Sequence, residues 1–202
     1  MKILLLGGYF GSGKTTILVR LAEALLKQGK RICIIGSEDG AFAVDGLLQK
    51  RGNVEISTVQ GGCVCCQATG NLIEMLRRIG KEIAPEWVLI ELTGIGFQDS
   101  VRDAIADYVH GDNPVVAATV VDALRWKKLL KAVEPVMTRQ VQSADVVIVN
   151  KTDQNPDFSA IAPQLTAISD SSVLLPMQAT ADTGEMLLET LNRQIQKKEI
   201  CR

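Results

Sequence analysis

Residues 3–16 read ILLLGGYFGSGKTT, an apolar run that passes directly into a glycine-rich turn and then into a helical pattern. The apolar run is only about five residues deep, which is too short for a signal peptide or a membrane span. It is instead typical of a buried first strand. Because a helix follows the turn at once, the stretch predicts a strand, loop and helix at the start of a parallel sheet.

The turn matches the pattern G-x-x-x-x-G-K-[ST] from Gly8 to Thr15. Glycines let backbone N–H groups converge on phosphate oxygens, and the start of a helix adds a partial positive charge. We therefore predict a phosphate loop in which Lys14 reaches the β- and γ-phosphates and the Thr15 hydroxyl binds Mg²⁺. The predicted nucleotide contacts in this loop are Gly8, Gly11, Ser12, Gly13, Lys14, Thr15 and Thr16. The alternative is a glycine-rich turn that binds nothing.

The rest of the chain alternates short β-branched runs with amphipathic stretches. The predicted strands are 3–6, 31–35, 54–59, 87–90, 115–121, 146–149 and 172–175. The predicted helices are 15–27, 68–81, 99–108, 124–131, 158–168 and 184–197. This order predicts an α/β fold of the P-loop type, a mostly parallel sheet with helices on both faces. With 202 residues, 47% of them apolar, we expect a single domain over 1–202.

Composition narrows the classes of partner. The formal net charge is −1 and the basic residues are scattered, so we expect neither nucleic acid nor a membrane surface as a partner. The chain has five cysteines, an odd number, and three of them cluster within 63–66. That arrangement favours metal or redox chemistry in a reducing cytoplasm over a disulfide framework.

A second motif follows the predicted strand 146–149 and bears on the choice of base. Asn150, Lys151 and Asp153 form N-K-x-D, which resembles the guanine-recognition motif of GTPases. A carboxylate at Asp153 can accept from both N1–H and the exocyclic amine of guanine, whereas adenine lacks that donor pair. The stem of Lys151 can lie across the base, and Asn150 can brace neighbouring loops. Further along, the segment 174–180 resembles in its position the loop of GTPases whose backbone contacts guanine O6, which makes Ala179 a predicted contact.

The predicted strand 87–90 is followed by Glu91, with Gly94 three residues later. A carboxylate at this point can orient an attacking water or a water of the Mg²⁺ shell, and the Gly94 N–H can contact the γ-phosphate. Glu91 is therefore the predicted catalytic carboxylate, acting with Lys14. Asp122, at the end of the strand 115–121, is a second candidate that ranks lower because no glycine follows it. For Glu91 the alternative is a strand end that merely faces solvent.

The three clustered cysteines follow two glycines in the segment 60–66, QGGCVCC. Cys63, Cys65 and Cys66 could converge on one ion, but three thiolates are too few for a closed structural zinc site. An incomplete ligand set suits transfer of the metal to another protein. The alternatives are small cysteines packed beneath a loop, or a redox-active pair.

Taken in order, these motifs resemble the CobW, HypB and UreG group of P-loop GTPases, and most of all its CobW-like branch. The resemblance implies slow hydrolysis of GTP to GDP with Mg²⁺, coupled to delivery of Zn²⁺, Co²⁺ or Ni²⁺ to a client metalloenzyme or cofactor pathway. It also places Glu38, and with it Asp45, in a switch segment near Mg²⁺ or the transported metal. Ser37 departs from the asparagine that is usual in that branch.

Other features limit the resemblance. His110, the single histidine, is expected to lie in a surface loop and not at a metal. Many CobW-like proteins have a separate C-terminal domain that this chain is not expected to contain. Target recognition would then fall to this domain, to a homodimer of it or to another chain.

Two rival functions remain open at this stage. One is a GTP-gated module that controls cofactor loading or reactivation of a partner enzyme, with the cysteines purely structural. The other is a small-molecule kinase, which N-K-x-D disfavours because kinases do not need it. The identity of the metal, the client and the oligomeric state are not encoded in any pattern of the sequence.

Overall fold

The computed structural model describes residues 1–36, 54–58, 68–154 and 158–200. Seven strands in these ranges form one sheet in which all neighbouring strands are parallel. The strands are β1 Lys2–Gly7, β2 Ile32–Gly36, β3 Val54–Thr58, β4 Trp87–Glu91, β5 Val115–Asp122, β6 Val146–Asn150 and β7 Val173–Met177. Their order across the sheet is β3-β2-β4-β1-β5-β6-β7.

The described residues also contain seven helices, six between strands and one after β7. The helices are α1 Lys14–Lys27, α2 Ala68–Glu82, α3 Gln98–Tyr108, α4 Trp126–Ala132, α5 Glu134–Gln142, α6 Phe158–Ile168 and α7 Glu185–Ile200. None of the helices within the described ranges is long and apolar enough to cross a membrane.

Alternation along the central strands explains why helices cover both faces. In β1, Leu4 and Leu6 pack with α1 and α7, while Ile3 and Leu5 pack on the other face with α2 and α3. Successive side chains of a strand point to opposite faces, so a strand that is apolar throughout must be covered on both. Each buried Leu or Ile contributes about 1.5–3 kcal/mol, which gives the sheet a rigid core beneath its loops.

The predicted α/β fold is confirmed, and each predicted strand is present to within a residue or two. Two details of the helices differ from the prediction. The helix predicted from 124 begins at Trp126, because the Arg125 N–H bonds back to Asp122 and residues 123–125 form a turn. Helix α5 was not predicted. It begins immediately after α4 ends, with Pro135 in its first turn, where a missing N–H costs nothing.

Parallel strands place their carboxyl ends at one edge of the sheet, and the predicted site residues follow those ends. The phosphate loop follows β1, Glu91 ends β4, and Asp122 ends β5. Asn150, the last residue of β6, is in register with Asp122. The neighbouring order β4-β1-β5-β6 therefore brings these four segments together.

Candidate functional site

The loop between β1 and α1 has the backbone conformation that its glycines allow. Gly8, Gly11 and Gly13 have φ values of 132°, 69° and 101°, in the region that side chains rarely adopt. A β-carbon at Gly8 would also collide with the Val120 carbonyl, and one at Gly13 with the Asn150 amide. Gly8 and Gly13 therefore leave no room for a side chain, and glycine at position 11 avoids the strain of a left-handed backbone.

Lys14 and Ser12 give this loop the polar groups of an anion site. The Lys14 ammonium is buried and donates to the Gly8 carbonyl at 2.9 Å. Burial lowers the pKa of Lys14, while the charge of Glu91 acts in the opposite direction. Among the described residues, the Ser12 hydroxyl oxygen is one of three buried side-chain atoms with no hydrogen-bond partner. A buried hydroxyl without a partner, a cation and a glycine cradle fit a bound phosphate group.

Thr15 and Glu91, predicted to serve the metal and the water, are in direct contact. The Thr15 hydroxyl donates to the two carboxylate oxygens of Glu91 at 3.0 and 3.1 Å. Neighbouring oxygens around an octahedral Mg²⁺ are separated by about the same distance, so this pair fits the ion. Burial raises the pKa of Glu91, opposed by the charge of Lys14 and the hydrogen bond from Thr15. When bound, Mg²⁺ would neutralise phosphate charge at this point.

Asn150 links the phosphate loop to the loop after β7. Its amide nitrogen donates to the Ser12 carbonyl at 2.9 Å, and its amide oxygen accepts from the Ala179 N–H at 3.0 Å. The bracing geometry predicted for Asn150 is thus present. The Ala179 N–H is engaged inside the protein, and the Ala179 carbonyl accepts from Arg20 at 3.1 Å.

Lys151 reaches across to the phosphate loop from the tip of β6. Its φ of 64° is left-handed, which is unusual for a residue with a long side chain. The ammonium donates to the Gly11 carbonyl at 3.0 Å and lies 2.7 Å from an Asp122 oxygen. Asp153 is exposed two residues further on, at the same edge of the sheet.

Gly94 lies beneath the ring of Phe10. A β-carbon at Gly94 would approach the ring atoms to 2.6 Å, so the absence of a side chain allows this contact. The carbonyls of Gly94 and Gly96 both accept from the side-chain amide of Gln140 at 3.1 Å. The segment that follows Glu91 is therefore fixed from two sides.

The structure brings together the phosphate loop, Glu91, Gly94 and the N-K-x-D motif, as the sequence predicts. Thr16 lies exposed in the first turn of α1. His110 lies exposed in the loop before β5, at the opposite edge of the sheet. The predicted sites at Glu38, Asp45, Cys63, Cys65 and Cys66 fall outside the described residues. Cys33 is buried in β2.

Two residues of the site were not predicted. Arg125 donates to the Phe10 carbonyl at 2.7 Å, and Gln140 holds the Gly94 segment. The position of Arg125, three residues after the carboxylate Asp122 at the end of a strand, is a sequence pattern that could have indicated its role. Gln140 gave no sequence signal, because its helix was not predicted.

A parallel sheet whose first strand leads through a glycine-rich loop into a helix, with lysine and threonine at the helix start, defines a P-loop nucleotide-binding protein. Residues 2–173 match the family described as CobW/HypB/UreG, nucleotide-binding domain. The chain belongs to this family.

Similar proteins agree with that assignment. The zinc chaperone YeiR of Escherichia coli is 26% identical over 162 residues, which cover 79% of this chain and 49% of YeiR. Zinc-regulated GTPase metalloprotein activator 1 of Schizosaccharomyces pombe is 29% identical over 166 residues, covering 76% of this chain and 39% of that protein. The chain thus spans at most about half the length of these two relatives.

A solved structure shares the fold. The hydrogenase maturation factor HypB from Archaeoglobus fulgidus matches with a TM-score of 0.68 at 14% identity, over 96% of this chain and 90% of HypB. At that identity the match concerns the arrangement of the elements alone.

Proposed function

We propose that this chain binds GTP with Mg²⁺, hydrolyses it slowly to GDP, and couples that cycle to the transfer of zinc to a client protein. The observation that carries the proposal is the meeting of Lys14, Thr15 and Glu91 at the sheet edge that also carries N-K-x-D. A cation, a metal-binding hydroxyl and a carboxylate are the groups that phosphoryl transfer to water requires. Strands from residue 2 to residue 177 form one sheet, so we also propose that 1–202 acts as a single domain.

Guanine is the proposed base because Asp153 lies exposed beside Lys151 and, unlike Asp122, forms no ion pair with another residue of the described ranges. Asp153→Asn replaces an acceptor by a donor and is expected to weaken GTP binding by roughly tenfold or more. Competition between GTP and ATP for the parent protein measures the preference directly. Equal affinity for the two nucleotides would remove the proposed base recognition.

In the proposed hydrolysis, Lys14 neutralises charge on the phosphates. Glu91 orients the attacking water or a water of the Mg²⁺ shell. Lys14→Ala should weaken nucleotide binding, whereas Glu91→Gln should leave binding largely intact and lower single-turnover hydrolysis. The two variants therefore separate binding from chemistry. Unchanged turnover in Glu91→Gln would transfer the role to another carboxylate, with Glu38 next to be tested.

Zinc is the proposed cargo because two similar proteins are named for zinc and because thiolates are good zinc ligands. Cys63, Cys65 and Cys66 supply three of them on a glycine-containing segment that follows β3 in the sequence. Thiolates also bind cobalt and nickel, so metal analysis of the purified protein tests the choice. A reducing cytoplasm would keep these thiols available, and that is the proposed location.

Coupling between nucleotide and metal is the test of the transfer function. Metal affinity should differ between the GTP- and GDP-bound protein, and the metal must then change nucleotide affinity by the same factor. Replacing Cys63, Cys65 and Cys66 by serine should abolish thiolate charge-transfer bands in a Co²⁺ titration and spare GTP binding. Cys201→Ser is the matched control and should keep the bands.

If both nucleotide states bind metal equally, or if the triple variant keeps the parent's metal affinity, the rival function becomes the better account. That rival is a GTP-gated module acting on a partner enzyme. In either case the client is a separate protein, and we propose that it meets this chain or a homodimer of it. Chromatography of the GTP- and GDP-bound protein tests the homodimer.

A further inference from the structure

Three consecutive carbonyls of the phosphate loop each accept a hydrogen bond from a different side chain. The Phe10 carbonyl accepts from Arg125 at 2.7 Å, the Gly11 carbonyl from Lys151 at 3.0 Å and the Ser12 carbonyl from Asn150 at 2.9 Å. All three donors lie at the ends of β5 and β6, so the same side of the loop is held along its length.

Hydrogen bonds that hold the loop carbonyls on one side also fix the direction in which the loop N–H groups point. In a trans peptide the C=O and the next N–H point in opposite directions, and the described residues contain no cis peptide. Fixing the carbonyls of Phe10 and Ser12 therefore turns the N–H groups of Gly11 and Gly13 away from the three donors. The Ser12 N–H closes a turn on the Tyr9 carbonyl at 3.2 Å. The donors thus set the loop conformation in which amides can face a phosphate.

Asp122 is the group that two of these donors share. One of its oxygens lies 2.7 Å from the Lys151 ammonium and 2.6 Å from Arg125 Nε, and its other oxygen accepts from the Arg125 N–H at 3.1 Å. The carboxylate side chain is fully buried. Burial alone would raise the pKa of Asp122, but the hydrogen bonds from Lys151 and Arg125 hold it below the ordinary value.

We infer that Asp122 is a positioning residue for nucleotide binding, which holds Lys151 and Arg125 against the carbonyls of the phosphate loop. The inference rests on the proposed function for the nucleotide, but not on the identity of the base. It also gives Asp122 a role other than the hydrolytic one considered from the sequence, since one of its oxygens meets two cations and the other accepts from the Arg125 backbone N–H.

A purely electrostatic role for Asp122 and a positioning role predict opposite changes in nucleotide affinity when Asp122 is removed, which makes the inference testable. If Asp122 acted only through its charge, Asp122→Asn would make the net charge beside the phosphate loop more positive by one unit and strengthen the binding of any nucleotide. If Asp122 acts by positioning, its removal releases both cations from the carbonyls and weakens binding.

The experiment compares Asp122→Asn with Asp145→Asn in the full chain. Asp145 is a matched control at the amino-terminal end of β6, where one carboxylate oxygen likewise meets an arginine and a lysine. Its partners Arg102 and Lys198 also donate to the carbonyls of Ser143 and Val115, at the opposite edge of the sheet from the phosphate loop. Thermal unfolding gives the stability of each variant, and titration with fluorescent GTP and GDP gives the affinities.

We expect Asp122→Asn to bind both nucleotides about tenfold or more weakly, since each charged hydrogen bond it releases is among the strong ones. Hydrogen exchange of the peptide spanning 8–14 should also become faster in that variant alone. Asp145→Asn should keep the parent's affinity although it too loses stability. Should Asp122→Asn fail to fold, Arg125→Lys keeps the charge but cannot reach both Asp122 and the Phe10 carbonyl, so it must still weaken the binding of both nucleotides.

Two results would overturn the inference. One is unchanged or tighter nucleotide binding in the folded Asp122→Asn protein, which would mean that charge alone matters. The other is an equal loss of affinity in Asp145→Asn, which would reduce the effect to general stability. A parent protein that binds ATP as well as GTP would contradict only the proposed base, because the loop contacts serve the phosphates of either nucleotide.

Discussion

The contact between Gly94 and Phe10 couples the phosphate loop to the segment after Glu91. The ring of Phe10 lies over the α-carbon of Gly94, yet more than half of Phe10 is exposed. Because the ring is exposed, it can rotate away from a larger side chain at position 94. Such a rotation would also move the part of the phosphate loop that carries Phe10. The two loops therefore respond to each other at the level of one side chain.

Gly94→Ala is expected to lower single-turnover GTP hydrolysis roughly ten- to a hundredfold, because its β-carbon would displace the Phe10 ring and the segment beneath it. The double variant Gly94→Ala with Phe10→Ala should recover part of the rate. Gly70→Ala is the control, since a β-carbon there meets nothing within 4 Å. No recovery in the double variant would mean that Gly94 acts through its backbone alone.

Glu91 makes stability depend on pH. Burial raises its pKa above the ordinary 4.5, so the folded protein holds this proton more tightly than the unfolded chain does. Such a group contributes stability that is fully present below the unfolded pKa and is lost as pH rises through the folded pKa. At neutral pH the ionised, buried Glu91 therefore lowers the free energy of unfolding.

Glu91→Gln should accordingly be more stable than the parent at pH 7–8 in the absence of nucleotide. The difference should shrink as the pH falls through the raised pKa of Glu91 and vanish below about 4.5. Thermal unfolding of both proteins across this range is the measurement. A difference that stays constant with pH would show that packing, and not ionisation, separates the two.

At the scale of elements, α5 supports the segment after Glu91. Gln140 donates to the carbonyls of Gly94 and Gly96, while its own backbone carbonyl accepts from Thr119 of β5 and from Ser143. Helix, strand and loop thus share one buried set of hydrogen bonds. Buried polar groups of this kind fix a loop because any other position leaves them without partners.

Gln140→Met keeps the size of the side chain and removes both hydrogen bonds to the loop. We expect a loss of roughly 1–3 kcal/mol in the free energy of unfolding and a lower rate of GTP hydrolysis. Ser143→Ala, which removes bonds to Gln98 and to the Gln140 backbone, is the control. It should lose stability and keep its hydrolysis rate, whereas equal rate losses would argue against a specific role for Gln140.

The elements also explain which features could be predicted from sequence. The phosphate loop and the Asn150 bracing were predictable, because glycine spacing and strand ends are local patterns. Helix α5 was not, because it is only nine residues long, follows α4 directly and has Pro135 in its first turn. The ion pair of Asp122 with Lys151 depends on the register of β5 with β6, which the sequence does not reveal.

At the scale of the whole molecule, the site joins loops that follow five different strands. The phosphate loop, the Glu91 segment and the tips of β5, β6 and β7 are linked by hydrogen bonds. A ligand that binds only when these loops are in place stabilises the entire sheet by mass action.

GTP should therefore raise the unfolding temperature of the full chain more than ATP does at the same concentration. At 100 times the dissociation constant the gain is about 2.7 kcal/mol in the free energy of unfolding. Thermal scans with each nucleotide and Mg²⁺ provide the measurement, with Lys14→Ala as the control in which the shift is lost. Equal shifts with GTP and ATP would contradict guanine selectivity.

The side chains that hold the phosphate loop lie far along the chain from it. Arg125 is 115 residues beyond Phe10, Asn150 is 138 beyond Ser12, and Lys151 is 140 beyond Gly11. During synthesis the glycine-rich segment leaves the ribosome early, and at 5–20 residues per second its three supports follow only after roughly ten seconds. We therefore expect a nascent chain that already carries the whole motif to capture no nucleotide until β6 has been added to the sheet.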